Sequence, residues 1–303
     1  MCEHDLRIFH HDFSNAGPVS FRRPIMSPEL EIFRRSPTGK PKSKHPLVFV
    51  HGAFTGAWCW NEHFLTWFAE KGFETVSFSL RGHGGSGGRQ LRSLASIDDY
   101  VEDLEEVVDT LGQTPVLIGH SMGGYIIQKY LENHSAEAAI LMASVPPEGL
   151  IASNAMMAMA QPDLYFHMAW LQAIGPHTFL RERLGRAMLS PDIAEDEGMI
   201  YFGRLETESQ RALLDMMGAN PIFLSPEQAP AMLVIGARDD EIIQSELIHH
   251  TAKRYHADYA LVDDIHHAMM LDKNWELVAD TMLEWLQVKL VSQQRSKGNK
   301  TAA

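Results

Sequence analysis

The sequence predicts an α/β fold, a mostly parallel, doubly wound sheet interrupted by one helical insertion. Three observations carry this expectation. From Leu47 onward, short apolar runs alternate with helix-forming stretches, the pattern that builds a parallel sheet covered on both faces. One such run, Pro115-Val116-Leu117-Ile118, leads directly into Gly119-His120-Ser121-Met122-Gly123 and then into a helix-forming stretch. Between about Pro146 and Gln228 the alternation stops.

In chain order, residues 1–45 read as a peripheral lead-in cut into pieces by Pro18, Pro24, Pro28, Pro37 and Pro41, with an early antiparallel strand over Glu29 to Arg34. Leu47-Val48-Phe49-Val50 is the first core strand, followed by a helix near Trp60 to Lys71 and a strand at Glu74 to Phe78. The next helix, Ile97 to Leu111, is the best marked. Ser96 with Asp99 forms a capping box, and Ile97, Tyr100, Val101, Leu104, Val107, Val108 and Leu111 recur at helical spacing. Its acidic run, Glu102 to Asp109, is then a solvated face and not a metal site. Ala139 to Met142 is a further strand.

The stretch from Pro146 to Gln228 contains no strand of core length and is rich in Met, Ala, Leu and aromatic residues, so it reads as packed helices. Strands resume at Ala231 to Gly236 and Tyr259 to Val262. The tail after Val291 is polar and is expected to be disordered (residues 291–303).

At 303 residues the chain can bury one core and carry an insertion. A formal charge of −13 and a pI of about 5.6 argue against nucleic acid and anionic membrane surfaces as electrostatic partners. Met1-Cys2-Glu3-His4-Asp5 has neither a basic nor an apolar leader region, and no apolar run approaches a membrane span, so cytoplasm is the expected compartment. With only Cys2 and Cys59, no disulfide is expected, and Cys59 beside Trp58 and Trp60 reads as packing. The pairs His10-His11, His249-His250 and His266-His267 diverge from one another, and no HExxH or spaced Cys/His set occurs, so neither metal nor cofactor is expected. Gly82 to Gly88 lacks the Lys-Ser/Thr ending of a phosphate loop.

The pentapeptide around Ser121 carries the chemistry. A strand, a tight turn bearing serine and a helix form a nucleophile elbow, in which flanking glycines allow an approach that a Cβ would block. Such an elbow is followed in the chain by an acid and then a histidine. Asp239-Asp240 stands at the C-terminal end of the strand Ala231 to Gly236, where open α/β sheets place functional side chains, and His266-His267 follows the next strand. A serine hydroxyl must lose its proton as it attacks; an imidazole can accept it, and a carboxylate fixes the imidazole tautomer. The N–H of Met122, at the start of the helix after the turn, is a candidate donor to an oxyanion.

These landmarks together resemble the α/β-hydrolase superfamily from about Leu47 to Leu290: HGAF at His51 to Phe54, RGHGGS at Arg81 to Ser86, GHSMGG at Gly119 to Gly124, GARDD at Gly236 to Asp240 and HAMMLD at His267 to Asp272. The resemblance implies an α/β-hydrolase type of sheet with the helices of 146–228 as a lid over the elbow. Its spacing of glycine, two residues, then acid selects Asp239, with Asp240 as a solvated or capping residue, and its histidine pattern selects His267 over His266. It places the second oxyanion donor at the N–H of Ala53. Many relatives carry an Asp where Ser79 stands here, which affects hydrogen bonding within that loop. An apolar pocket is expected from Phe54 and from Met156, Met157, Phe166 and Trp170 of the insertion, since thioether chains suit variable apolar groups.

The functional expectation is a cofactor-independent serine hydrolase that cleaves a carboxylic ester with an apolar acyl or alcohol part through an acyl-Ser121 intermediate. The partner is then a small apolar ester-like molecule; the sequence does not indicate an oligomeric state. The same three residues would also serve a lactone, thioester, peracid or carbon–carbon bond, and the fold also hosts noncatalytic ligand-binding proteins.

Overall fold

Continuous runs of buried apolar residues set the architecture. In the computed structural model, which describes residues 28–300, the strands β2 (Leu47–Val50), β4 (Val116–His120), β5 (Ala138–Met142) and β6 (Met232–Ala237) are buried at every position, as expected of parallel strands covered on both faces. With β1 (Ile32–Arg35), β3 (Thr75–Phe78) and β7 (Asp258–Val262) they form a seven-stranded sheet in the order β1-β3-β2-β4-β5-β6-β7. Only β1 runs antiparallel, pairing Ile32 with Phe78 and Arg35 with Thr75 on its one neighbour.

Alternate residues of each strand feed two apolar layers. Val48, Val50, Leu117, Leu141 and Val234 face one layer; Leu47, Phe49, Ile118, Ile140 and Ile235 face the other. The first layer is covered by α3 (Ile97–Asp109), α4 (Met122–Tyr130) and α10 (Ser245–Arg254). The second is covered by α1 (Trp58–Asn61), α2 (Phe64–Glu70) and α11 (Trp275–Lys300). The expected capping box closes the N-terminus of α3 with both reciprocal bonds, Asp99 N–H to Ser96 Oγ at 3.1 Å and Ser96 N–H to Asp99 Oδ2 at 2.8 Å.

Three expectations change. The single helix read near Trp60 to Lys71 is two, broken at His63, whose ring stacks on Trp275 at 4.8 Å. The break brings Trp60, Phe64 and Phe68 together onto Phe49, with centroids 5.1, 6.4 and 5.8 Å from it. The early strand begins at Ile32, three residues after Glu29. The backbone of α11 continues to Lys300 through most of the segment read as an unstructured tail. Gln, Arg and Lys in that segment are good helix formers, so polarity alone did not oppose a helix. The prolines Pro18 and Pro24, Cys2, the pair His10-His11 and residues 301–303 lie outside the described residues.

Between β5 and β6 the chain forms α5 (Ile151–Ala160), α6 (Pro162–Ile174), α7 (Arg181–Met188), α8 (Glu195–Gly203) and α9 (Gln210–Leu214), with no intervening strand. Pro162 starts α6, where its missing N–H costs nothing, and Gly175 ends it at φ 79°. Residues of all five helices line one cavity together with the segments that follow β2, β4, β6 and β7. No helix among the described residues is long and apolar enough to cross a membrane.

Candidate active site

Ser121 follows β4 directly and holds φ 51° and ψ −115°, a conformation that a non-glycine residue adopts only when its surroundings impose it. Those surroundings are visible. Ser121 donates its N–H to the Met142 carbonyl at 3.0 Å, and its own carbonyl accepts from Gly124 and Val145, both at 3.1 Å. The turn also requires two close backbone approaches. A Cβ on Gly119 would collide with the Gly123 carbonyl, and one on Gly123 with the Val50 and His51 carbonyl oxygens. The steric argument made from the sequence for the flanking glycines therefore holds.

His267 lies in the loop after β7, buried, with Nδ1 2.8 Å from Asp240 Oδ2. This corrects the acid: Asp239 is exposed and its N–H reaches the Ile265 carbonyl, whereas Asp240 is the buried carboxylate. The physical reason lies just downstream. Asp240 Oδ1 accepts the N–H groups of Ile242 and Ile243 at 2.8 and 2.9 Å, a turn in which the carboxylate caps the backbone and its other oxygen points at the imidazole. Asp240 thus has the capping function foreseen for it as well as the histidine contact assigned to its neighbour. His266 does not share that carboxylate; its N–H is held by Asp272 Oδ2 at 3.0 Å.

Two further histidines surround the turn. His120 and His267 rings lie 4.8 Å apart, and His120 Nε2 donates to the His267 carbonyl at 2.8 Å. Burial, reinforced by His267, holds the His120 pKa well below the ordinary value. Burial, then the neighbouring His83, takes His51 down to about 3. Both are therefore neutral, and His51 performs a structural task, with Nε2 accepting the Leu80 N–H at 3.0 Å. Cys59 is also inert, since burial pushes its thiol up to about 12.

The loop after β2 carries Ala53 and Phe54. The N–H groups of Ala53 and Met122 take no acceptor among the described residues, while that of Phe54 is bound by Glu208 Oε2 at 3.1 Å. In the loop after β3, Ser79 does what an aspartate there could do, in relay: its Oγ accepts the Ala57 N–H at 3.0 Å and donates to Glu31 Oε2 at 2.6 Å. That carboxylate also accepts the Gly85 N–H at 3.0 Å. The missing carboxylate is supplied from the residue preceding β1.

Ala53, Phe54, His120, Ser121, Met122 and His267 all line one cavity of about 500 Å³. The insertion lines most of its far side with apolar groups, including Met157, Met168, Leu171, Leu213 and Met216, joined by Ile242 and Ile243. Of the five pocket residues expected, Phe54 and Met157 line the cavity. Met156 borders a separate polar cleft beside Asp239 and His266, and Phe166 and Trp170 project outward, 63% and 51% exposed. The cause is helix phase: Leu164, Met168 and Leu171 form the inward row of α6, and Phe166 and Trp170 stand on the other side.

A sequence model of the alpha/beta hydrolase family matches residues 47–281. The chain belongs to the alpha/beta hydrolase family. Among curated proteins, a monoacylglycerol lipase of Mycolicibacterium smegmatis (strain ATCC 700084 / mc(2)155) is 24% identical over 91% of this chain and 96% of its own length. A non-heme chloroperoxidase of Burkholderia pyrrocinia is 34% identical over 39% of this chain; the match spans 43% of that protein, less than half its length. A solved esterase of Thermogutta terrifontis superposes with a TM-score of 0.68 over 86% of this chain and 94% of its own, at 19% identity, a likeness of fold. The alpha/beta hydrolase landmarks in the sequence led to Ser121 and His267, but they did not reveal Asp240, the inward row of α6 or Glu208. A signal that separates Asp240 from Asp239 is the pair Ile242-Ile243, whose N–H groups Asp240 caps.

Proposed function

We propose that this alpha/beta hydrolase is a serine hydrolase that cleaves a carboxylic ester with an apolar acyl or alcohol part. Ser121 would be the nucleophile, His267 the general base, Asp240 the orienting acid, and the N–H groups of Ala53 and Met122 the oxyanion donors. The observation that carries the reading is the buried His267–Asp240 hydrogen bond opening on the same apolar cavity as the strained Ser121 turn.

The geometry supports a stepwise account. The Asp240 contact at Nδ1 leaves His267 Nε2 to take the Ser121 proton as Oγ attacks the ester carbonyl carbon. The carbonyl π pair moves to oxygen, and the Ala53 and Met122 N–H groups stabilise that charge; one such donor is commonly worth about 3 kcal/mol. Collapse breaks the bond to the alcohol oxygen, which leaves with the proton from His267. Water, deprotonated by the same imidazole, then releases the acid and restores Ser121. The apolar wall suits the remainder of the substrate. The names of the long-range relatives, a monoacylglycerol lipase and an esterase, support ester cleavage.

The test is a panel of p-nitrophenyl esters of graded acyl length, with lactones, thioesters and a peracid assay beside them, and fluorophosphonate labelling. Rapid stoichiometric labelling at Ser121 with turnover of esters is expected. Labelling with turnover of another bond class would reassign the substrate, and absence of labelling would point to a ligand-binding protein.

A further inference from the structure

A buried carboxylate from the insertion meets the loop that carries Ala53. Glu208, fully buried, accepts the Tyr100 hydroxyl at 2.8 Å and the Ser209 N–H at 2.6 Å through Oε1, and the Phe54 N–H at 3.1 Å through Oε2. His83 Nε2 lies 3.2 Å from Oε2, at ion-pair distance though not aligned for a hydrogen bond. An isolated buried carboxylate is strongly disfavoured, so it persists only with such a set of partners. Burial alone would raise the Glu208 pKa, but the attraction of His83 and the hydrogen bonds of Ser209 and Tyr100 outweigh it and hold the carboxyl down to about 2.

Phe54 is the object of this arrangement. It stands at φ 66°, in the left-handed region, where a bulky residue is strained. Glu208 takes its N–H, and its carbonyl accepts the Glu206 N–H at 2.7 Å. Both backbone polar groups of one strained residue are thus bound by a three-residue segment, Glu206-Thr207-Glu208, from a distant part of the chain. Such strain lasts only where neighbours over-determine it. Glu206 in turn is fixed by Arg92 at 2.7 Å, by Arg89 at 2.8 Å and by the Gly84 N–H at 2.8 Å, so the clamp does not float.

We propose that Glu208 is a positioning residue: by holding the Phe54 backbone in its left-handed turn it aims the adjacent Ala53 N–H at the oxyanion, and it couples that donor to the seating of the helical insertion. The proposal rests on the ester-hydrolase reading, in which Ala53 supplies an oxyanion donor. Glu208 touches no reacting atom; it acts through Phe54. Misplacing a donor by about 1 Å can cost up to 10²-fold in rate.

Glu208→Gln and Glu208→Ala are compared with the unaltered full chain on a p-nitrophenyl ester and for affinity to an alkyl boronic acid, whose tetrahedral serine adduct occupies the oxyanion position. Gln can still accept from Phe54 but is no longer anionic; Ala does neither. The expected result is a fall in kcat of roughly 10- to 100-fold for Ala and a smaller fall for Gln, with KM within about threefold and boronate affinity falling in step with kcat. Asp215→Asn is the control. Asp215 is an equally buried carboxylate of the insertion that accepts the Ile97 N–H at 3.0 Å and does not touch the Phe54 loop. It should lower Tm and leave kcat unchanged.

If Glu208→Ala does not fold, the Gln variant carries the comparison. Folded Glu208 variants with unaltered kcat and boronate affinity overturn the proposal, as does an equal kcat loss in Asp215→Asn, which would mean general loosening. An unaltered chain that neither turns over esters nor binds boronate removes the ester-hydrolase reading and the proposal with it.

Discussion

Ser121 shows how little freedom the site leaves to single residues, because its φ of 51° is maintained by four backbone hydrogen bonds and by two glycines that nothing larger can replace. Under the proposed mechanism, Ser121→Ala and His267→Ala should each remove nearly all turnover. The double variant should be little worse than either, since such groups act as a unit; steady-state kinetics on a p-nitrophenyl ester checks this, and multiplicative losses would count against it. The neighbouring carboxylates give a sharper contrast. Asp240→Asn should lower kcat by on the order of 10⁴ through the wrong imidazole tautomer, whereas Asp239→Asn, at an exposed position, should stay within a few-fold. Ser121 and His267 were legible in the sequence because chain order and motif spacing identify them. Asp239 and Asp240 were not separable that way. Which of two adjacent acids turns inward depends on the path of the loop, and here capping of Ile242 and Ile243 decides it.

At the scale of elements, α6 is apolar on both sides, so its composition announced a buried helix without announcing which face is buried. Phe166 and Trp170 were expected in the pocket, yet Met168 and Leu171 line the cavity. The consequence is measurable in chain-length selectivity. Ester kcat/KM should rise from acetate toward medium acyl chains, each buried methylene contributing up to about 0.8 kcal/mol until the cavity is filled. Met157→Ala, Met168→Ala and Leu171→Ala should alter that profile more than they alter acetate hydrolysis. Phe166→Ala and Trp170→Ala should leave it nearly as it is. A profile that follows the exposed pair instead would show that α6 turns when substrate binds.

For the whole molecule, most of the parallel strands were legible because they are short, mainly apolar runs in regular alternation with helices. The contacts between distant segments were not. Glu208 is separated from Phe54 by 154 residues, and nothing local marks either as the other's partner. The buried Glu208 carboxylate, held down by His83, Ser209 and Tyr100, nevertheless has a global signature. Because the folded pKa of Glu208, about 2, lies below its ordinary 4.5, its contribution is complete above pH 4.5 and is lost as pH falls toward 2. The amount is on the order of 3 kcal/mol. Asp103 has the opposite sign: burial, opposed by Arg81, raises it to about 6, so its protonation favours the fold as pH falls from 6 toward 4. Urea unfolding should therefore show the acid loss of stability concentrated below pH 4.5, and Glu208→Gln should flatten that limb.

The Glu31–Ser79 relay bears on where this protein can be cut. The family match begins at residue 47, and a chain started there would keep Ser121, Asp240 and His267 with every strand except β1. It would still discard the carboxylate that meets Ser79 and the Gly85 N–H, along with the edge strand that carries it into place. The smallest unit that retains the loops around the site is therefore longer at its beginning than the family boundary suggests, and a trimmed version for engineering should start no later than Pro28.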